Sequence, residues 1–249
     1  MNKSNLDFIF NFLKKNRKFP DLQRRNSYRQ ILNPLLTKEE QVRLFFDREV
    51  KTQQNLKMTQ IVPFWEHVES HKHLLSTFKG VMKMLGAPQN DRPYEEMFNH
   101  LKKQPLWGPK TSALFVKAVY QIHHGKLELD PLWPNTPSLS SLNDKFYLPV
   151  DVIIINIFRD FLGMKKPTFK TINQVIHQHY RGADVVIWDD LWFWGFITQF
   201  GSEDRTYAWN KGKYFSLVNN PQSPSKLMKI EEKAKEFLSV LKRRKKNSC

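Results

Sequence analysis

The chain has 249 residues, with 40 Lys and Arg against 24 Asp and Glu, a formal charge of +16. That length can bury a substantial core as one large domain or as two lobes sharing a cleft. Its single cysteine, Cys249, excludes an internal disulfide and any zinc or iron–sulfur site built from four cysteines, and no apolar run approaches the ~20 residues of a bilayer span.

The cationic surplus favours a polyanionic partner, because each neutralised phosphate releases condensed counterions. DNA enzymes, ribosomal proteins and membrane-surface proteins share that property, so the charge selects a class of partner and not a function. In chain order, Ser4 to Lys15 carries Leu6, Ile9, Phe10 and Leu13 at helical spacing, and its other side, running on to Arg24 and Arg25, is basic. The first twenty residues lack the apolar stretch and cleavage site of a secretory signal. An intracellular, reducing compartment is therefore expected: cytoplasm or nucleoid in a bacterium or archaeon, nucleus in a eukaryote.

Thr37-Lys38-Glu39-Glu40 predicts a capped helix start running through Phe45 and Phe46. Phe64 to Leu85 holds one or two helices, stopped by Gly86 and Pro88. Tyr94 to Lys103 places Tyr94, Met97, Phe98 and Leu101 on one face, and Lys110 to His123 does the same with Phe115, Ala118, Val119 and Ile122. The corner between them, Pro105-Leu106-Trp107-Gly108-Pro109, makes residues 94–123 a helix-hairpin-helix candidate. Residues 125–147, with three prolines, predict a loop insert. Helices follow over Asp151–Leu162, Thr168–Tyr180 and Asp184–Phe200. Ser202 to Ser225 shows little periodicity, and a last helix over Leu227–Leu241 leads into a basic tail, residues 242–249. The fold class expected is all-α.

Gly108 permits a sharp backbone turn, and Pro109 suits the first turn of a helix, where its missing N–H costs nothing. The free amides of such a helix start form a ready phosphate site, to which Thr111 could add a hydroxyl. Lys110, Leu114, Lys117 and Gln121 share a narrow face away from the Phe115/Val119 stripe, surroundings suited to an amine nucleophile. The plain alternative for Lys110 is a solvated surface charge. Forty-one positions on, Asp151 opens the apolar run Val152-Ile153-Ile154-Ile155. Its plain reading is an N-cap without a capping box, since Ile154 stands where Glu would be; capping and catalysis are compatible. The aromatic group Trp188, Trp192, Phe193, Trp194 and Phe196 reads mainly as core, with Gly195 permitting close packing; Trp188, Phe193 and Trp194 cannot all share the inward stripe, which leaves one of them to stack on a base. The paired histidines (71/73, 123/124, 177/179) stand one or two apart and face different sides of a helix, so no metal site is expected.

Together, Gln104-Pro105-Leu106-Trp107-Gly108-Pro109-Lys110-Thr111-Ser112-Ala113 and Leu148-Pro149-Val150-Asp151 resemble the helix-hairpin-helix (HhH-GPD) DNA glycosylase superfamily, best over Leu101–Phe161. Leu106 stands at the family's first hairpin glycine, and Val152 and Ile153 stand where Thr and His are frequent. The long insert and the missing cluster cysteines set the chain apart from endonuclease III and place it nearest the 8-oxoguanine glycosylase/lyases. The resemblance implies one two-lobed helical domain over residues 1–249, its lobes flanking a cleft. It implies base-excision repair by a DNA N-glycosylase with AP lyase activity, acting without cofactor, as a monomer, on double-stranded DNA containing a damaged base, such as an oxidised purine. Lys110 takes the place of the Schiff-base lysine and Asp151 that of the carboxylate assisting base loss. Leu106, Trp107, Gly108, Thr111 and Lys117 become the expected DNA contacts. Trp188 and Trp192, with Gln53, Gln54 and Trp65, become candidates for the base pocket. Two alternatives remain open: a non-enzymatic DNA-binding protein using the same hairpin and charge, and a helical scaffold whose tryptophans meet a protein partner.

Overall fold

A computed structural model describes residues 3–53, 58–139, 143–201, 205–218 and 223–242; the basic tail beyond 242 and the pocket candidate Gln54 lie outside the described residues. The protein is mostly helical: α1 Lys3–Lys15, α2 Lys18–Ile31, α3 Lys38–Lys51, α4 Met58–Ser70, a short 3-10 turn Lys72–Leu74, α5 Phe78–Met84, α6 Pro93–Leu101, α7 Pro109–His124, α8 Val152–Asp160, α9 Phe169–His179, α10 Ala183–Trp188, α11 Asp190–Phe196, α12 Lys211–Leu217 and α13 Pro224–Lys242. One two-stranded antiparallel ladder, β1 Gln199–Phe200 with β2 Thr206–Tyr207, pairs Gln199 with Tyr207 and Phe200 with Thr206. The single helix expected over 184–200 is broken at Asp189, and α12 stands inside the stretch that shows no periodicity. No helix among the described residues is long and apolar enough to cross a membrane.

The chain divides into two compact units: Met1–Gln23, Val150–Tyr180 and Ile187–Cys249 form the first, Arg24–Pro149 and Arg181–Val186 the second. In the first, the apolar stripe of α1 (Leu6, Ile9, Phe10, Phe12, Leu13) packs on α13, whose Ile230, Ala234, Phe237, Leu238 and Leu241 are buried. Phe12 meets Phe237 at 5.4 Å and the edge of Trp194 at 5.1 Å between ring centroids. Tyr180 donates its hydroxyl to Asp7 at 2.7 Å. α8 packs on α11 at Gly195, where an added Cβ would stand 2.6 Å from Ile153 Cγ2 and 2.8 Å from Ile157 Cδ1. Gly195→Ala therefore overpacks this contact. We expect a loss of about 1–3 kcal/mol in thermal or urea unfolding, and a smaller loss when the same change is made in an Ile153→Ala background. An unchanged midpoint would show that α8 and α11 can separate freely.

The second unit is built on α7. Phe115 stacks on Phe46 at 4.7 Å and packs on Phe45 at 4.6 Å, joining α7 to α3, while α6 lies along α7. Thr37 caps α3 at the capped start that the sequence predicts, and the structure adds the full reciprocal box to Glu40. Residues 125–147, although without helix or strand among the described residues, supply core: Leu127, Leu132, Trp133 and Phe146 are buried. Trp133 donates its indole N–H to Leu75 O at 2.8 Å and lies parallel to His123. Asp144 caps α6 from 50 residues away, accepting from Tyr94 N at 3.1 Å and Glu95 N at 2.7 Å.

Two groups in this region titrate in opposite senses. Burial raises the Asp144 carboxyl from 3.8 to about 6, against the pull of the Glu95 and Tyr94 amides. Burial beside His124 and Lys38 lowers His123 from 6.5 to about 4. Asp144 therefore contributes stability that is full below pH 3.8 and lost as pH rises through 6. His123 contributes stability present above pH 6.5 and lost as pH falls toward 4. The two offset each other between those limits. In Asp144→Asn the His123 loss stands alone, so stability should fall on the order of 1–3 kcal/mol further than in the wild type on acidification over this window. Parallel pH profiles of melting temperature in the two proteins would contradict the assignment.

Candidate functional site

The connection from α6 to α7 has a defined backbone path. Gln104 N donates to Leu101 O at 2.8 Å, Trp107 N to Gln104 O at 3.0 Å, and Gly108 N to Leu106 O at 3.2 Å. Leu106 is left-handed, with φ of +63°, so the position that a glycine would favour is held by leucine. The Leu106 carbonyl also accepts from Gln53 Nε2 at 2.8 Å. Gln53, expected at a base pocket, thus braces this turn. Gly108 has the opposite character. Its φ is −72°, and a Cβ there would meet nothing within 4 Å, so the fold itself does not require glycine.

α7 begins at Pro109 with no side-chain cap. The amides of Lys110 and Thr111 have no acceptor among the described residues, and the half-buried Lys110 amine has no ion-pair partner within its own unit. Leu106, Gly108 and Lys110 are partly exposed and lie at the start of this helix.

Three expected DNA contacts are in the interior of the second unit. Trp107 is 1 % exposed, its ring 5.4–5.7 Å from those of Phe46, Phe64 and Phe115; an indole of this size between three phenyl rings forms core, not a surface contact. Thr111 is buried, so its hydroxyl is not available to a phosphate. Lys117 is buried as well, because the polar face of α7 is covered: Tyr28 of α2 donates its hydroxyl to Gln121 Oε1 at 3.1 Å, and Lys117 and Arg48 act electrostatically on the same tyrosine.

In the first unit, Asp151 is the N-cap of α8. Oδ1 accepts from Ile153 N at 2.9 Å and Ile154 N at 3.1 Å, while Oδ2 accepts from Trp192 Nε1 at 2.8 Å. Asp151 is partly exposed. Trp192 is partly exposed too, stacked on Phe196 at 5.1 Å and 16°, and the Lys213 ammonium stands 5.1 Å from the Phe196 centroid. Burial, then Arg205, lowers the Lys213 amine below its ordinary value. Trp188 is fully buried against Tyr180, Phe10 and Phe158, so it is a core residue and cannot line an open base pocket. Trp65, in the second unit, is half-buried beside Phe64.

Lys110 and Asp151 thus belong to different units. The Trp192–Asp151 bond and the Gln53 brace have no local sequence signature, since they join residues 41 and 53 positions apart. Among the described residues no group of three or more His, Cys, Asp or Glu could hold a metal ion. Compared with protein-family models, with curated proteins and with solved structures, the chain matches none.

Proposed function

We propose that the protein is a base-excision DNA glycosylase with AP lyase activity, acting on a damaged base in double-stranded DNA. The observation that carries the reading is the start of α7: a partly exposed lysine with no ion-pair partner among the described residues of its unit, on a helix whose Lys110 amide lacks an acceptor there. Such a helix start is suited to a DNA phosphate, and the net charge of +16 supports a polyanionic partner. In the proposed reaction the damaged nucleotide is extruded from the duplex. Lys110 Nζ forms a bond to C1′ as the glycosidic bond breaks and the base leaves with the bonding pair, taking up a proton. The sugar ring opens to a Schiff base between C1′ and the lysine. Loss of a C2′ proton then expels the 3′ phosphate by β-elimination. Asp151 offsets the positive charge that develops on the sugar.

The test is borohydride reduction in the presence of duplex DNA containing an abasic site or 8-oxoguanine. The reading predicts a covalent protein–DNA adduct and a nicked strand. Salt-dependent binding without adduct or nick on either duplex would favour a non-enzymatic DNA-binding protein, a reading that the open space around Gly108 and the Lys110 amide also support.

A further inference from the structure

A carboxylate offers about four acceptor positions, two on each oxygen. At Asp151 three are occupied: two on Oδ1 by the Ile153 and Ile154 amides, and one on Oδ2 by the Trp192 indole. The amides belong to the first turn of α8 and come with any aspartate N-cap. Trp192 is different. It lies on α11, 41 residues away, and its ring is held flat against Phe196. The helix contact that delivers it is the close approach at Gly195, three residues on, where α8 and α11 leave no room for a Cβ.

We propose that Trp192 is a positioning residue for Asp151, an inference that rests on the glycosylase reading. The α8 amides tie Oδ1, and the indole N–H ties one site of Oδ2, fixing rotation of the carboxylate about its Cβ–Cγ bond. Only the second site of Oδ2 is left for a reacting group. Asp151 thereby presents a single oxygen, in one orientation, to the developing charge on the sugar. A carboxylate held only by the helix start would rock about its Oδ1 anchor and meet that charge in fewer configurations. The role assigned to Trp192 is thus its N–H, not base stacking.

Single-turnover release of 8-oxoguanine from duplex DNA, with DNA affinity measured separately, tests this. Trp192→Phe keeps the ring on Phe196 and removes the donor. It should lower the rate of base release about tenfold, with DNA affinity and melting temperature nearly unchanged. Asp151→Asn should lower the rate further, and Trp192→Phe/Asp151→Asn should be no slower than Asp151→Asn alone, because Trp192 acts only through that carboxylate. Losses that multiply in the double variant would overturn the proposal.

A second measurement does not depend on catalysis. In protein labelled with 15N-tryptophan, the indole N–H resonance that disappears in Trp192→Phe should be slow to exchange with deuterium. It should shift and exchange faster in Asp151→Asn, whose amide can turn an N–H toward the indole. A resonance that Asp151→Asn leaves unmoved also overturns the proposal. Base release by Asp151→Asn at the wild-type rate sinks the catalytic reading of Asp151 instead, while the exchange measurement still shows whether Trp192 holds the side chain.

Discussion

Lys110→Gln is expected to abolish the borohydride-trapped adduct, a loss of at least about a thousandfold, because an amide cannot form a Schiff base. Glutamine keeps a polar side chain, shorter by one atom, at a partly exposed position with no ion pair inside its unit, so the fold should be unaffected and melting temperature should change little. DNA affinity should fall by less than about tenfold, the scale of one phosphate-contacting cation. The combination separates chemistry from binding. Trapping that survives at the wild-type level would remove Lys110 from the reaction and direct attention to another amine. Equal loss of trapping and binding would mean that Lys110 only grips the backbone.

Trp107→Ala should be the most destabilising single change at the α6–α7 connection. It removes an indole that is 1 % exposed among Phe46, Phe64 and Phe115, and truncations of this kind cost about 3–5 kcal/mol. In a chain of this size that corresponds to a fall of about 10 °C in melting temperature. The adjacent residue should behave in the opposite way. Gly108→Ala adds a methyl group to open space at a φ of −72°, so it should leave stability unchanged or raise it by up to ~1 kcal/mol through the unfolded chain. If the bare backbone at Gly108 serves an incoming phosphate, Gly108→Ala weakens DNA binding at unaltered melting temperature. Calorimetry and a salt titration of DNA binding on the two variants decide both points. A thermally silent Trp107→Ala would contradict the core position of the indole, and Gly108→Ala with wild-type affinity would take that glycine out of the interface.

What could be read from sequence here is what is decided within a few residues. The capped start at Thr37, the stripe of α1, the start of α7 after Gly108-Pro109 and the N-cap role of Asp151 each depend on one or two turns of chain, and each is found in place. α2 escapes such reading because its buried positions are Pro20, Arg24, Tyr28 and Ile31, a stripe of mixed polarity with no apolar period. The pair of residues in β1 and in β2 and the seven of α12 are too short to leave a pattern.

The side chains of the candidate site were settled by tertiary packing. A wheel places Lys117 on a polar face, but whether that face meets water or Tyr28 depends on where α2 lies. Trp107 in a turn reads as exposed until Phe46 and Phe64, from two other helices, surround it. Leu106 is held at positive φ by a turn whose carbonyl is tied to Gln53, a cost in backbone strain that no local propensity foretells. By itself the sequence determined a basic, helical chain, an amine at one helix start and a carboxylate at another. Which aromatic rings became core, and which indole reached Asp151, was left to the tertiary structure, because burial and hydrogen-bond partners are set by elements distant in the chain.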